Sequence, residues 1–409
     1  MTASGVFAYK GRTAVGKVVS GRLDAASENA AMLRMRGMGL APISVTEVTA
    51  GVGLKREVHI PGLSKGVGLK DLAVMSRQMA TMTSAGLSLL RTLNILSAQT
   101  ENAQLARILT TIRNEVETGA SLSEAMTKHS TVFPPIMINL VRAGETGGFL
   151  ESSLNSVAAN FESEVKLRDT IKSALAYPVV VLIMAVLAVI GMLIFIVPVF
   201  EKMFEGLGGE LPLPTQVLVV LSKGMVWLGP LLLVLGVAFT FWWRRNKNTE
   251  AVRRRVDPFK LKLPVFGPLM MKLSIARFSR NFSTMIAAGV PILQSLAIVG
   301  ETSGNWVIES ALRKVAESVR QGGSIAGPLA QAPIFPPMVV QMIAVGEDAG
   351  ALEQMLAKVA DFYDQEVQAT TEQLTALIEP LMIAFIGVVI GGMIVALYLP
   401  MFSIFEYVQ

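Results

Sequence analysis

The sequence predicts a mainly α-helical, polytopic membrane protein: two homologous cytoplasmic helical bundles, three transmembrane helices and a small N-terminal α+β module. Three observations carry this. Hydrophobic residues fill 52% of the 409 positions and charged residues only 16%, which is richer in apolar and poorer in charged residues than ordinary globular chains. Three stretches are apolar over the roughly 20 residues that a helix needs to cross hydrocarbon. A long block of the chain is also written twice.

The spans are expected at 177–200, 217–243 and 380–405, the first and third uncharged. The middle one carries Lys223 near its start, where a long side chain reaches the interface and leaves 224–243 as the core. Trp227 and the pair Trp242 and Trp243 mark its two ends as an aromatic belt. Arg244, Arg245, Lys247, Arg253, Arg254, Arg255, Lys260 and Lys262 follow it, against only Glu250 and Asp257. The short connection 201–216 is instead acidic, with Glu201, Glu205 and Glu210. By the positive-inside rule the basic side is cytoplasmic. Both bundles and the N-terminus then face the cytoplasm, and the C-terminus emerges on the far side. The opening residues lack the apolar core of a signal peptide, so no cleavage is expected.

The duplication organises the rest. SRQMATMTSAGLSLLRTLNIL from Ser76 returns as SRNFSTMIAAGVPILQSLAIV from Ser279, an offset of 203. FPP at Phe133 returns at Phe335 and AGETGGFLE from Ala143 as VGEDAGALE from Val345, now at an offset of 202. Pro178 and Pro198 match Pro380 and Pro400, so the repeat continues into the membrane. Leu72, Met75, Met79 and Met82, matching Ile275, Phe278, Phe282 and Met285, recur at helical spacing and are expected to line a bundle core. Leu150, Leu154, Val157 and Phe161, matching Leu352, Leu356, Val359 and Tyr363, do the same. The bundles are placed at 70–176 and 273–379, with a basic cytoplasmic linker at 244–272 leading from the second span into the second bundle. The second span is required to bring the chain back between two copies that share one side. Ahead of them, 1–49 reads as a ββαβ module and 50–69, with Gly51, Gly53, Pro61, Gly62, Gly66 and Gly68, as a flexible linker.

Several chemistries lose ground at once. The absence of cysteine removes disulfides, thiolate metal sites and thiol nucleophiles, and His59 and His129 are the only histidines. The net charge of +5 reflects topology, since few aromatic platforms interleave the basic residues, and nucleic acid is not an expected partner. Gly11 to Lys17 fits the first seven places of a phosphate-binding loop, but Val18 stands where the magnesium-binding hydroxyl belongs and a strand follows. A hairpin turn is the better reading. No paired catalytic groups and no cofactor motif survive, so no enzyme is expected.

The most specific local feature is the repeated turn Gly144, Glu145, Thr146, Gly148 and Gly346, Glu347, Asp348, Gly350. Gly144 and Gly346 suit a helix C-cap of positive φ, and Thr146 and Asp348 then suit the cap of the next helix. Glu145 and Glu347 are left to stabilise the following helix N-terminus, pair with a cation or contact a partner. Pro178 and Pro380 suit the first turn of each span, and Gly387 with Gly391 fits a small-residue helix contact.

Taken together, RQMATMTSAGLSLL, FPP, GETGG, GVPILQSL, VGEDAGALEQML and IEPLMI, followed by a span ending in LYLP, resemble the inner-membrane platform proteins of type IV pili and type II secretion. The resemblance covers nearly the whole chain and is nearer to the pilus branch. It implies two six-helix cytoplasmic bundles in a non-enzymatic platform, with a cytoplasmic ATPase, pilin subunits, other inner-membrane alignment proteins and further copies of itself as partners. The type II secretion platform is the alternative, and an oligomeric transporter the rival class. The first copy departs from the pattern, with Met75 at a common aromatic position and Tyr177 where Glu379 precedes Pro380.

Overall fold

The computed structural model describes residues 5–13, 18–25, 28–47, 66–205, 211–247, 249–264 and 266–407. Gly16, Lys17, His59, the linker residues Gly51, Gly53, Pro61 and Gly62, and Glu210 of the acidic connection lie outside the described residues.

The first unit is a three-stranded antiparallel sheet with one helix. Strand β1 (Gly5–Thr13) lies between β2 (Val18–Ala25) and β3 (Leu40–Glu47), and α1 (Glu28–Gly37) connects the last two. Arg12 pairs with Val18 and Gly5 with Ala25, so β1 and β2 form a hairpin where a phosphate loop would need a helix. Pro42 sits on the edge strand at a shift of register between Lys10 and Gly11, a place where a missing N–H costs no ladder bond. Ala31 and Met35, one turn apart on α1, are buried.

The second unit contains the repeats. The first bundle is α2 (Leu69–Ser84), α3 (Leu89–Gln99), α4 (Ala103–Glu117), α5 (Leu122–Thr127), α6 (Pro135–Gly147) and α7 (Leu150–Gly191). A π-helical turn at Met192–Ile196 and α8 (Val197–Glu205) prolong α7, and α9 (Leu213–Asn246) returns. The linker region 244–272 contains α10 (Glu250–Lys262). The second bundle is α11 (Phe266–Ala287), α12 (Ile292–Thr302), α13 (Trp306–Arg320), α14 (Ala326–Ala330), α15 (Pro337–Asp348) and α16 (Leu352–Tyr407). Each copy therefore has six helices in the same order.

The apolar stripes meet as their spacing requires. Met75, Met79, Leu154, Val157 and Phe161 are buried in the first copy, and Phe278, Phe282, Leu356, Val359 and Tyr363 in the second, within one continuous core. Met82 and Leu150 are partly buried against it. Inside the second copy, Phe278 packs edge-on against Phe335 of the repeated FPP, with ring centroids 5.2 Å apart.

The last helix of each bundle is also a membrane span. Helix α7 runs 42 residues without interruption and α16 runs 56. Pro178 and Pro380 lie inside these helices and do not begin new ones. The correction has a physical reason: an interior proline costs one N–H, but polar partners and small helix adjustments let membrane helices retain it. Three helices, containing 150–204, 227–246 and 352–402, are long and apolar enough to cross a membrane.

The repeated prolines at the far ends explain how the spans associate. In α16, Pro400 cannot donate to the carbonyl of Ala396 one turn earlier, and that carbonyl accepts the hydroxyl of buried Thr215. In the first copy the turn before Pro198 is π-helical, so the missing donor falls five residues back, on Leu193. The carbonyl of Leu193 accepts Ser222 Oγ at 2.6 Å. Helix α9 thus satisfies both duplicated defects, and its Leu218 and Val219 pack with Leu193, Val197, Met393, Ala396 and Leu397. Lys223 is ion-paired with Glu201 at 2.6 Å on this side.

Replacing Thr215 by Val and Ser222 by Ala should lower the unfolding free energy in bicelles by about 1 kcal/mol each, as interhelical bonds in membranes do. Denaturation by increasing sodium dodecyl sulfate checks this, and unchanged midpoints in both variants would remove the proposed role of α9 in satisfying these carbonyls.

Candidate functional site

The repeated glutamates hold short helices in place. Helix α5 has six residues and α14 five, too few to offset helix nucleation alone. Glu145, on α6, reaches back to the start of α5, where its Oε1 accepts Leu122 N–H at 2.5 Å and its Oε2 accepts Ser123 N–H at 3.0 Å. Glu347, on α15, accepts Ile325 N–H at 2.8 and 3.0 Å and Ala326 N–H at 3.2 Å. Ser121 and Ser324, at the 203 offset, add hydroxyl caps to Glu124 N–H and Gly327 N–H. The first N–H groups of a helix have no intrahelical acceptor, and a carboxylate there also meets the positive end of the dipole.

The glutamates therefore stabilise the preceding short helix of each bundle, not the following one. Both oxygens of each carboxylate already face backbone donors. Among the described residues no three His, Asp or Glu side chains gather as a metal site would need.

The other residues of the turn are also redistributed. Gly144 and Gly346 are helical, and the positive φ falls on Gly148 and Gly350, at 76° and 65°. What Gly144 supplies is closeness: a Cβ there would lie 2.6 Å from Ser153 Cβ and 2.9 Å from Leu150 Cα. At Gly346 it would lie 3.0 Å from Leu352 Cα. The tight turn folds the last helix back onto its predecessor, and that approach leaves no room for a side chain. Thr146 does not cap α7: its hydroxyl bonds to Arg142 carbonyl, while Phe149 is the N-cap and makes no side-chain cap bond. Asp348 is the last residue of α15. Glu379 and Pro380 lie within α16. Among the described residues no other helix comes within 4 Å of a Cβ built on Gly387 or Gly391, and the contact between spans uses Met393, Ala396 and Leu397 instead.

The site that sequence reasoning missed is an ion pair written twice. Arg77 on α2 grips Glu162 on α7 through two bonds of 2.7 and 2.6 Å. At the offsets 203 and 202, Arg280 on α11 grips Asp364 on α16. The signal was present as Arg and an acid at matching places in both copies, but α2 and α7 are far apart in sequence. Hydrogen bonding to Arg77 lowers the Glu162 carboxyl from its ordinary value. Asp364 moves the other way, because burial outweighs Arg280.

An open groove of about 660 Å³ lies beside Glu145, lined by Glu124, Thr127, Lys128 and Arg142 among others. The matching residues in the second copy are Gly327, Ala330, Gln331 and Ala344. Only the first copy carries a charged rim there.

Residues 75–198 and 278–400 each match the family described as type II secretion system (T2SS) protein F, and 1–46 match the N-terminal domain of that protein. A type IV pilus assembly protein PilC of Thermus thermophilus is 44% identical over 98% of this chain and 98% of its own length. Another from Myxococcus xanthus is 39% identical over 100% of this chain and 97% of its own. A type II secretion system protein F of Pseudomonas aeruginosa is 32% identical over 98% and 99%.

Glu145→Ala and Glu347→Ala should each cost about 2–3 kcal/mol, the range for charged hydrogen bonds whose partners are left unpaired. Faster hydrogen exchange should be confined to α5 or α14 respectively, and exchange unchanged in both would overturn the capping role. The ion pairs predict opposite slopes with pH. Glu162 has a depressed pKa, so its contribution is present above the unfolded value and lost as pH falls through the folded one. Asp364 has a raised pKa, so the folded state gains as pH falls. From about pH 7 to about pH 3, the cost of Glu162→Gln should shrink and that of Asp364→Asn should grow, as measured by denaturant unfolding.

Proposed function

The chain belongs to the type II secretion system protein F family, and from that premise we propose that it is the inner-membrane platform of a type IV pilus assembly machine. It is a multi-pass protein of the inner membrane, with its N-terminus and both bundles in the cytoplasm and its C-terminus outside. The observation that carries the reading is the repeated domain, each copy running without a break from a bundle into a span, together with greater identity to pilus assembly relatives than to secretion relatives. The domain limits follow the sequence: a module at 1–49, a linker at 50–69, bundles at 70–176 and 273–379, and spans at 177–200, 217–243 and 380–405.

In this reading the bundles bind a cytoplasmic assembly ATPase and the spans present pilin subunits to the base of the filament, beside other inner-membrane alignment proteins. The chain contributes coupling and no chemistry of its own. A helix that is both bundle wall and span transmits displacement of one end to the other, because its hydrogen-bond ladder resists stretching and shear. The charged groove of the first copy gives the ATPase a surface that the second lacks. A type II secretion role is the weaker alternative.

Two measurements test this. A deletion strain should lose surface pili while retaining exoprotein secretion, and the reverse pattern would favour the secretion reading. Full-length protein in detergent should capture the assembly ATPase, and Lys128→Glu with Arg142→Glu should reduce capture at least about tenfold, or about 1.4 kcal/mol. Undiminished capture would move the contact away from the groove.

A further inference from the structure

Apart from the parallel pair α7 and α16, the two bundles do not meet through equivalent faces. Repeat 1 offers α6 and α7, and repeat 2 receives them on α11 and α12. Asn160 donates to Asn281 at 2.9 Å, Glu164 pairs with Arg277, and Gln294 donates to Asn139 at 2.9 Å. In a two-fold arrangement α16 would pack on α2 as α7 packs on α11, and no comparable contact exists among the described residues. The joint is head to tail. Among the described residues of the second unit it leaves uncovered one face of each kind: the Phe362 side of α15 and α16 in repeat 2, and α2 and α3 of repeat 1.

Those uncovered faces are more apolar than their covered counterparts. Asn160 is 8% exposed, while Phe362, its equivalent, is 45% exposed. Arg277 corresponds to Val74, which is 50% exposed. Val345, equivalent to Ala143, is 54% exposed. Single exposed apolar residues are ordinary. Phe362, Val74 and Val345 fall on the two faces whose counterparts form the joint, and Phe362 would take the place of Asn160 opposite Gln78 and one turn from Val74.

The geometry also permits repetition. Leu167 and Ile171 of α7 cluster with Val367 and Leu374 of α16, and further along Leu193 and Val197 cluster with Met393 and Leu397. The two helices thus run parallel and nearly in register, so the rotation relating the repeats lies close to the membrane normal. A second such joint keeps every span in the same bilayer.

We propose that the joint between the bundles is repeated between chains: the α15 and α16 face of one copy docks on the α2 and α3 face of the next. A heterologous contact closes into a ring when its rotation divides a full turn. The occupant is a second copy because the receiving face has the fold of α11 and α12, whose ligand within the chain is the fold of α6 and α7. The copied joint lacks the first turn of α11, which α2 does not possess, and replaces the three polar pairs by Phe362 opposite Gln78, Glu366 opposite Val74 and Gln341 opposite Arg91.

The chain has no cysteine, so disulfide trapping in native membranes can read the contact directly. Differently tagged chains carrying Gln78→Cys and Phe362→Cys are co-expressed and oxidised, with Asn160→Cys plus Asn281→Cys in one chain as the control for an intact fold. A mixed dimer, at least about fivefold more abundant than either homodimer, is expected. Equal 78–78 or 362–362 dimers would indicate a two-fold face and overturn the proposal. So would a 78–362 bond closed within one chain carrying both substitutions, or an absent mixed dimer while the control pair closes.

Discussion

Everything in the second unit depends on helices α7 and α16 belonging to two environments at once. Their N-terminal halves close a bundle through Leu154, Val157 and Phe161 or Leu356, Val359 and Tyr363. Their C-terminal halves are apolar spans. A separate bundle and span joined by a loop could rotate independently. One hydrogen-bonded helix cannot, so the bundle's orientation is set by the membrane. The tight turns before these helices reinforce this, since Gly144 and Gly346 bring the preceding helix within backbone contact of the first turn.

The same constraint explains the middle span. A bilayer offers no water to satisfy a carbonyl orphaned by proline, and the duplication brought such a carbonyl into both copies. Thr215 and Ser222 meet both from one helix. The return helix is thus more than a topological necessity, because its first half joins the copies while its later residues, from Trp227 to Phe241, are largely exposed.

Duplication, span number and core stripes were legible because they rest on period and composition, which are local. The change of offset from 203 to 202 was legible too, but its place became clear only from the helix ends, since the loop between α5 and Phe133 has one residue more than that between α14 and Phe335. The glutamates could not be read from their own neighbourhood. Their partners lie 21 to 23 residues upstream, and local logic assigned them to the next helix. The duplicated Ser121 and Ser324 were the available signal. Among the glycines, the pattern GETGG presents several positions that could adopt positive φ, and only the helix length decides that Gly148 takes it. Pro178 and Pro380 were misplaced for a related reason: proline at the edge of an apolar run resembles a helix start, and uninterrupted helix on both sides depends on tertiary support.

The copies share a fold but have diverged where they face other things. Asp364 is buried deeply enough that its carboxyl is pushed up despite Arg280, whereas Glu162 keeps a solvated pair with Arg77. The difference arises because Asp364 lies at the joint between the bundles, beside Asn160, Glu164 and Leu167 of α7, and repeat 2 is flanked by further elements. The longer α11 carries Leu269 and Leu273 into the inter-bundle cluster, and α10 packs Asp257 against Trp306 N–H and Arg253 against Glu309. Among the described residues of the second unit repeat 1 has no such cladding, and its charged groove is open. Two domains with one ancestral core thus serve different ends. Repeat 2 is braced from several sides, and repeat 1 offers the more accessible surface, a division that a pair of identical bundles could not provide.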